Sequence, residues 1–570
     1  MKNIIFILIL FTFFSSCKTV NSDENRKVVN LIGNWEITKT EIQESIPQNF
    51  SSHCQVPGLI DMASPSLDKQ DTAYKNSLYW YKKVIPIDNE YDISILRINK
   101  AKFHTRIYVN GKFAGENPVS FAPTEVNIKP FLNKNNEPNE LIISIGCMNN
   151  LPDTIINGFD FEKIKYIPGI YDDVSLILTN KPFITYVQTV PDIKKHQVRV
   201  FAKIDPPADN PGFDLKYIIR EVSTGKKVAG GKTSVPSNEQ GNPKKVDFTI
   251  DINDMQLWSP ESPFLYELQL LTSADSKSVK FGMRSFRFDD NKSMALLNET
   301  PYYLRGTNIC MFRFFEDPAR SSLPWDKEWA VKLLSNIKMM KWNIFRTSLG
   351  PLPDFWYDLA DSMGVLIQNE YAIWTLDKNE MVLRNVNSTS LTEEYRVWMH
   401  NHINHPAVVI WDAQNESRTD TTLKALRLVR NEDLSDRPWD NGFFRPDRPT
   451  DCIEAHPYPF WLYYTGVEQS EEGYLKDHFY DTIRYPSNTP NDYEDSSVRG
   501  EKYPNPIIIN EYGWIWLNRD GTPTQLTKNV YDYFLGEDAT PKERFEFYGK
   551  NLGILTEFWR SHRLCAGVLE

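Results

Sequence analysis

Two glutamates stand where apolar runs of strand length end. The stretch PAVVIWDAQNES reaches Glu416, and the stretch NPIIINEYG reaches Glu511. Unbroken apolar runs of this length are typical of parallel strands buried on both faces, so we expect two such strands to deliver one acid each to the same rim. A pair of carboxylates in that position is the minimum apparatus for cleaving a glycosidic bond.

The first residues predict export. A lysine at position 2 precedes an apolar segment over 4–14, and Ser15-Ser16-Cys17 follow, as in a secretory signal. A cysteine directly after two small residues is similar to the lipobox of bacterial lipoproteins. This predicts a signal over 1–17, a lipid on Cys17 and tethering in the cell envelope, in the periplasm or at the cell surface. The alternative is an ordinary cleaved signal in which Cys17 is incidental.

Composition narrows the class of protein. The 64 basic and 75 acidic residues give a net charge of −11, so there is no positive field for phosphates and we expect no nucleic-acid partner. Aromatic residues, at 13%, suit stacking on sugar rings but also suit the cores of β-rich domains. The cysteines after Cys17 are scattered, with no CxxC spacing. We therefore expect neither a disulfide framework nor a metal site.

The part of the chain before residue 289 predicts two β-sandwiches. Over 30–180, Asn110-Gly111 separates two alternating segments, which is a strong signal for a β-hairpin. No long amphipathic helix intervenes, and a sandwich is the natural architecture. Over 181–288 short strands continue, at spacings typical of an immunoglobulin-like sandwich.

From 289 to 570 the pattern changes to alternating strands and helices, which predicts a (β/α)₈ barrel. Helices are predicted over 327–340 and about 353–363, and Ser390 with Glu393 forms a capping-box pattern for another. The predicted strands are YYLRGTN, WNIFRTS, VLIQNE, the run 407–411, CIEAHPY, PIIINE and CAGVLE. Catalytic residues of such barrels lie at the carboxyl ends of several strands.

With these parts in place, the chain resembles glycoside hydrolase family 2, which includes β-galactosidases, β-glucuronidases and β-mannosidases. The resemblance covers nearly everything after residue 30. It rests on the order of several motifs: YWYKKVIPI, GIYDDVSLI, LWSPESPFLYEL, LNETPYYLRGTN, WNIFRTS, HPAVVIWDAQNES and PIIINEYG. Membership implies a jelly-roll-like sugar-binding sandwich, an immunoglobulin-like sandwich, a catalytic barrel and a retaining mechanism without a cofactor.

The resemblance also implies roles for the two glutamates and their neighbours. Glu416 becomes the general acid/base, Asn415 binds the sugar 2-hydroxyl, and Glu511 becomes the nucleophile. The Arg346 guanidinium is placed to orient Glu511 and keep it ionised, although a salt bridge at the rim would have the same geometry. Tyr458 is similar to the tyrosine that hydrogen-bonds the nucleophile in relatives.

Further candidates end other predicted strands. His456, two residues before Tyr458 at the end of the predicted sixth strand, is a candidate substrate-binding residue. Asn308 and Glu370 are placed to bind sugar hydroxyls or to tie the rim together. Trp514, just past the nucleophile, is a candidate stacking platform, and an aromatic plug in the loop core is the alternative.

The chain departs from the family at positions that line sugar or ion sites. Ile-Cys-Met-Phe follows Asn308, and Leu349 follows Arg-Thr-Ser where a histidine is common. Because of these departures, the resemblance does not identify the sugar that is recognised, and we do not expect the Mg²⁺ site that some members have. Because CAGVLE reads as the eighth strand and ends at Glu570, we expect a truncated chain, with a shortened barrel as the alternative.

Two functions from different classes follow. The first is a lipid-anchored, exo-acting retaining β-glycosidase that trims oligosaccharides from polysaccharide breakdown, with β-galactoside as the leading substrate and β-glucuronide second. The second is a glycan-binding surface lipoprotein with an idle barrel. The presence of both glutamates together with Asn415 and Arg346 favours the enzyme, because a binding module has no need of an acid/base residue.

Overall fold

The computed structural model describes the chain from residue 25 onward, with gaps. The residues left out after position 24 are 43–44, 68–75, 86, 88–89, 135–136, 208, 210–211, 238–242, 290–293, 376–382, 461–502 and 562–564. The predicted signal and Cys17 lie outside the described residues. Within the described ranges, no helix combines the length and the apolar character needed to cross a membrane.

The first region is a sandwich of two antiparallel sheets. The six-stranded sheet has the spatial order Ser52–Val56, Gly33–Glu41, Ser77–Ile85, Asn139–Ile145, Thr105–Val109 and Lys112–Asn117. The four-stranded sheet has the order Arg26–Asn30, Val174–Thr179, Ile93–Ile98 and Thr124–Asn127. The predicted hairpin is confirmed, because Val109 pairs with Lys112 while Asn110 and Gly111 have φ of 50° and 74°. Positive φ at both loop residues is the geometry that makes Asn-Gly favourable.

The second region is a seven-stranded sandwich of immunoglobulin type. One sheet contains Phe183–Asp192, Gln197–Asp205 and Lys244–Asp251. The other contains Lys227–Val235, Phe213–Glu221, Tyr266–Leu271 and Ser276–Phe281. Inward-facing residues of both sheets form one hydrophobic cluster. Short strands lead on to the barrel, at Trp258–Ser259, Ser262–Pro263, Phe286–Asp289, Met294–Leu297 and Thr300–Pro301.

The third region is a barrel of eight parallel strands, which confirms the predicted fold class. In chain order they are Leu304–Asn308, Ile344–Arg346, Leu366–Glu370, Val408–Asp412, Trp439–Asp440, Ile453–Ala455, Ile507–Ile509 and Cys565–Leu569. Hydrogen bonds connect them in the order 5-4-3-2-1-8-7-6. A 3.1 Å bond from the Cys452 amide to the Trp439 carbonyl joins strands 5 and 6. Strand 5 has only two residues, and the apolar pattern does not predict it.

Helices surround the barrel. Among the described residues, the α-helices of this region are Met311–Phe314, Lys327–Met339, Asp354–Met363, Ser388–His402, Asp420–Val429, Lys528–Leu535 and Pro541–Arg560, and its 3₁₀ turns are Leu323–Trp325 and Arg430–Glu432. The first sandwich contains the 3₁₀ turns Ile60–Met62, Lys129–Phe131 and Met148–Asn150. The predicted capping box at Ser390 and Glu393 is wrong by one turn. Asn387 caps this helix by accepting from the amides of Thr389 and Ser390, because an asparagine at the end of an extended segment competes well for the first free amides.

The first sandwich packs directly on the barrel. Its Lys100 side chain is buried and pairs with Asp172 at 2.8 Å and with the barrel residue Asp354. Asp172 also accepts a 2.9 Å bond from the Asp354 amide. Buried residues of the sandwich and the barrel belong to one hydrophobic cluster. This packing brings a loop of the sandwich to the carboxyl end of the barrel.

Candidate active site

Arg346 is the centre of the candidate site. It ends the second barrel strand with no exposed side-chain surface. Its guanidinium donates bonds of 2.8 Å to Glu511 Oε1 and of 2.8 Å to Asn415 Oδ1. Three further carboxylates surround it, those of Asp412, Glu370 and Glu454. Because a guanidinium offers its donors in fixed directions, one side chain ties the ends of five strands together.

Glu511 follows the seventh strand and holds its carboxylate among donors. Arg346 donates to Oε1, the Tyr458 hydroxyl donates to Oε2, and His456 Nδ1 lies 3.8 Å from Oε1. Burial raises the pKa of Glu511, but the charges of His456 and Arg346 and the Tyr458 hydrogen bond outweigh burial and lower it. The side chain is 21% exposed. An ionised, accessible carboxylate in a fixed position is suited to nucleophilic attack.

Glu416 lies just beyond the fourth strand and has a different set of partners. His456 Nδ1 lies 2.8 Å from Oε1, and Trp374 Nε1 donates a 3.0 Å bond to Oε2. The backbone of Glu416 is in the left-handed region, with φ of 40°. For a residue other than glycine this conformation is strained, and strain of this kind is concentrated at functional sites.

The two carboxylates face each other across a short gap. One oxygen of Glu416 and one of Glu511 lie within 4.8 Å of each other and of a His456 nitrogen. Carboxyl groups about 5–5.5 Å apart allow one of them to attack the anomeric carbon directly, whereas a gap of about 6.5–9.5 Å accommodates a water molecule. The spacing fits the retaining geometry.

Two of the other predicted residues hold this arrangement in place. Asn415 is 3% exposed, and its side-chain oxygen accepts from Arg346. Asn308 is half-buried, and its side-chain amide donates a 2.7 Å bond to the carbonyl of Asn510. Asn308 therefore fixes the end of the strand that carries Glu511.

For two residues the contacts favour the second of the alternatives that the sequence left open. Glu370 has no exposed surface, pairs with Arg346 and accepts from the Leu349 amide, so it ties the rim together and does not face a sugar. Trp514 is 9% exposed, donates a 3.0 Å bond to the Leu526 carbonyl and packs edge-on against Tyr458 at 5.0 Å. Its ring is a packing support beneath Tyr458, and the structure does not offer it as an open stacking platform.

Two residues of the site were not predicted. Trp374 follows the third strand, and nothing in its sequence context marks it as a partner of Glu416. Glu454 is two residues before His456 on the sixth strand, and alternate residues of a strand face the same side. That spacing is a signal that could have identified Glu454.

A loop of the first sandwich forms a wall beside Trp374. Phe161 packs edge-on against the Trp374 ring at 5.0 Å, and the Arg313 guanidinium lies 5.4 Å from the same ring. Arg313 in turn pairs with Asp160 at 2.9 Å and Glu162 at 2.5 Å. The wall next to the paired carboxylates is therefore acidic, and the Arg313 charge on it is already paired.

Family models match most of the second and third regions. A model described as "Glycosyl hydrolases family 2, TIM barrel domain" matches residues 290–535, and one described as "Glycosyl hydrolases family 2" matches residues 183–284. Together these ranges take in more than half of the chain. They contain Glu416, Glu511 and Arg346.

Curated relatives carry two names. A putative beta-glucuronidase from Formosa agariphila is 24% identical over 62% of this chain and 33% of its own length. A beta-galactosidase from Oenococcus oeni is 22% identical over 75% of this chain and 44% of its own. A beta-glucuronidase from Streptococcus agalactiae is 27% identical over 59% of this chain and 58% of its own. The chain thus spans between a third and three fifths of these proteins.

Solved structures show the same fold. A beta-glucuronidase from Ruminococcus gnavus in complex with D-glucuronic acid superposes with a TM-score of 0.70 at 18% identity, covering 96% of this chain and 91% of that one. A beta-glucuronidase from an uncultured Clostridium species superposes with a TM-score of 0.69 at 19% identity, covering 96% and 92%. From the matched family models, the motifs and this shared architecture, the chain belongs to glycoside hydrolase family 2.

Proposed function

We propose that the chain is a retaining β-glycosidase in which Glu511 is the nucleophile and Glu416 the general acid/base. The observation that carries the proposal is the facing pair of carboxylates, whose nearest oxygens lie within 4.8 Å of each other while their partners differ. Arg346 and Tyr458 hold Glu511 as an anion, and Trp374 and His456 fix the direction of Glu416.

The reaction has two steps in this arrangement. Glu511 attacks the anomeric carbon as the bond to the leaving oxygen breaks, and Glu416 gives its proton to that oxygen. Glu416, now a carboxylate, then takes a proton from water as the water oxygen attacks the same carbon and releases Glu511. Two inversions at one carbon return the β configuration. Asn415, whose side-chain oxygen accepts from Arg346, is the residue that we expect to contact the sugar 2-hydroxyl.

The charges of the site bear on which sugar it binds. Three cations of the described part of the site, Arg346, His456 and Arg313, contact carboxylates of the chain itself. A fourth, Arg418, follows Glu416 by two residues and lies 5.4 Å from the Phe443 ring. The acidic residues Glu162, Glu416 and Glu511 would repel a negatively charged sugar, so this part of the site favours a neutral hexoside. We propose a β-galactoside first. The β-glucuronide is second, and the names of several relatives support it.

A panel of aryl β-glycosides tests the activity. The purified chain is expected to release the aryl group from at least one substrate among galactoside, glucuronide, mannoside and glucoside. The first-formed sugar, followed by proton NMR before mutarotation, is expected to be the β anomer. Binding without turnover on every sugar would support the idle glycan-binding lipoprotein instead, and an α product would contradict the retaining mechanism.

Tyr458→Phe tests the environment of the nucleophile. The Tyr458 hydroxyl lowers the pKa of Glu511, so its removal raises that pKa. The acidic limb of the kcat/KM profile is therefore expected to move to higher pH, and kcat is expected to fall by about 10–100-fold, since Glu511 also loses orientation. The measurement is a pH–rate profile on the best substrate of the panel.

Tyr512→Phe is the matched control for Tyr458→Phe. Its hydroxyl lies 2.8 Å from Thr556 Oγ1 and contacts neither carboxylate of the pair. The control is expected to keep the profile of the original protein. A similar shift in both variants would show that the effect comes from general loosening of this half of the barrel.

A further inference from the structure

Glu454 is a buried carboxylate on the sixth strand with contacts to both halves of the site. Its Oε1 accepts a 3.0 Å bond from the backbone amide of Glu416. Its Oε2 lies 3.2 Å from Arg346 Nη2, 3.1 Å from Asn510 Nδ2 and 3.2 Å from His456 Nε2. The side chain has no exposed surface, so its carboxylate is held entirely by groups of the protein.

Each partner of Glu454 acts on one of the paired carboxylates. The Glu416 amide belongs to the acid/base residue itself. Arg346 donates to Glu511, and Asn510 is the residue before Glu511. His456 Nδ1 faces both carboxylates, at 2.8 Å from Glu416 and 3.8 Å from Glu511. One oxygen of Glu454 therefore holds the acid/base side, and the other holds the nucleophile side.

We propose that Glu454 is a positioning residue that sets the separation of Glu416 and Glu511 and holds the His456 imidazole between them. The inference rests on the proposed function, because it assigns Glu454 a task in that same site. The carboxylate never contacts the substrate and acts only through the residues that it holds.

The charge of Glu454 is necessary to this task. Burial raises its pKa, but His456, Arg346 and the Asn510 hydrogen bond outweigh burial and hold the pKa at about 2. The anion accepts from every one of its partners. A glutamine of the same shape has one acceptor oxygen and one NH₂ group, so its NH₂ must point at a donor on one side of the site. That mismatch displaces either the Glu416 amide or the group formed by Arg346, Asn510 and His456.

His456 reports the charge directly. Four acidic groups face it or lie near it on different strands: Glu454, Glu416, Glu511 and Asp440; Arg346 is the nearby cation. Burial lowers the pKa of His456, but Glu511, Glu454 and the hydrogen bonds raise it well above the usual value. Without the charge of Glu454 this pKa must fall. The cation is then lost at lower pH than in the original protein.

Glu454→Gln is the test. We expect kcat to fall by about 10²-fold, as for misplacement of reacting groups by about 1 Å, with KM changed by less than about threefold because no substrate contact is removed. The alkaline limb of the pH–rate profile is expected to move to lower pH, because His456 then loses its proton at lower pH. The imidazole signals of His456, assigned by comparison with a His456→Asn sample, are expected to titrate at lower pH in NMR spectra of Glu454→Gln.

Glu394→Gln is the matched control, because Glu394 is also a buried barrel glutamate. It is 1% exposed and bonds the Tyr371 hydroxyl at 2.6 Å and the Ile156 amide at 3.2 Å, away from the paired carboxylates. It is expected to keep kcat, the pH profile and the His456 titration. If Glu454→Gln does not fold, Glu454→Asp replaces it: the charge stays while the oxygens withdraw, so kcat falls with the His456 titration nearly unchanged.

The outcomes separate this inference from the proposed function. If the original protein hydrolyses no glycoside, the proposed function fails, and the His456 titration in Glu454→Gln still decides whether Glu454 holds that cation. If the original protein is active and Glu454→Gln retains its kcat, pH profile and His456 titration, the positioning role is overturned while the proposed function stands.

Discussion

Replacing Glu511 with glutamine is expected to lower kcat by roughly 10⁵-fold, the scale seen when a covalent nucleophile is removed. The amide keeps the shape of the side chain, and Arg346 can still donate to its oxygen. It does not form the glycosyl ester, so the first step of the reaction is lost. The measurement is the steady-state rate on the best aryl β-glycoside, read together with thermal unfolding to show that the barrel is intact.

Covalent trapping identifies the same residue independently. A 2-deoxy-2-fluoro glycoside with a good leaving group is expected to label the original protein on the peptide that contains Glu511. The fluorine slows both formation and hydrolysis of the glycosyl-enzyme, and the good leaving group speeds only its formation, so the intermediate accumulates. Glu557→Gln is the control: this exposed glutamate lies on the helix before the eighth strand, and its loss is expected to leave kcat unchanged. A label on another residue would show that the nucleophile has been misassigned.

Much of the site could be predicted because parallel strands place their carboxyl ends at one rim. Glu416 and Glu511 each follow an apolar run, and the structure brings them together, with Arg346 and Tyr458 as the predicted partners of Glu511. A strand that is buried on both faces offers an acidic side chain contact with water only at its ends, so an acid at the carboxyl end is expected at the rim of the barrel.

The direction of individual side chains could not be predicted in the same way. Glu370 also ends a strand, yet its carboxylate turns inward to Arg346, and Trp514 turns beneath Tyr458. Nothing in a strand pattern distinguishes a terminal residue that faces the cavity from one that faces the barrel interior. The fifth strand, Trp439–Asp440, was missed because two residues are too few to show a period.

Contacts between segments that are distant in the sequence could not be predicted, for another reason. Trp374 meets Glu416 because the segment after strand 3 runs beside the segment after strand 4, where Trp374 and Asn415 form a parallel β-bridge. Phe161 reaches Trp374 because the first sandwich packs on the barrel. These are tertiary contacts between segments with no local signal of their own. Glu454 is the intermediate case, since its spacing from His456 was visible but its four donors were not.

Glu416→Ala is expected to have an effect that depends on the leaving group. For an unactivated glycoside, kcat is expected to fall by about 10³–10⁴-fold, the upper range for loss of general acid catalysis. For a dinitrophenyl glycoside the leaving oxygen needs no proton, so the first step persists and the glycosyl-enzyme accumulates because no base activates water. The measurement compares kcat and the burst of released phenol across a series of aryl glycosides of graded leaving-group pKa.

Azide completes the argument for Glu416. A small anion needs no general base, so it is expected to enter the space left by the carboxylate, attack the glycosyl-enzyme and restore turnover on the activated substrate. The product is then the β-glycosyl azide, since attack inverts the α-linked ester on Glu511. Equal losses on all leaving groups, with no rescue by azide, would exclude Glu416 as the acid/base and would leave the assignment of Glu511 unaffected.

The same treatment of Glu511→Ala is expected to reverse the stereochemistry and give the α-azide, because azide then attacks the substrate itself from the face that the nucleophile has vacated. The two azides therefore assign the two carboxylates to opposite faces of the sugar.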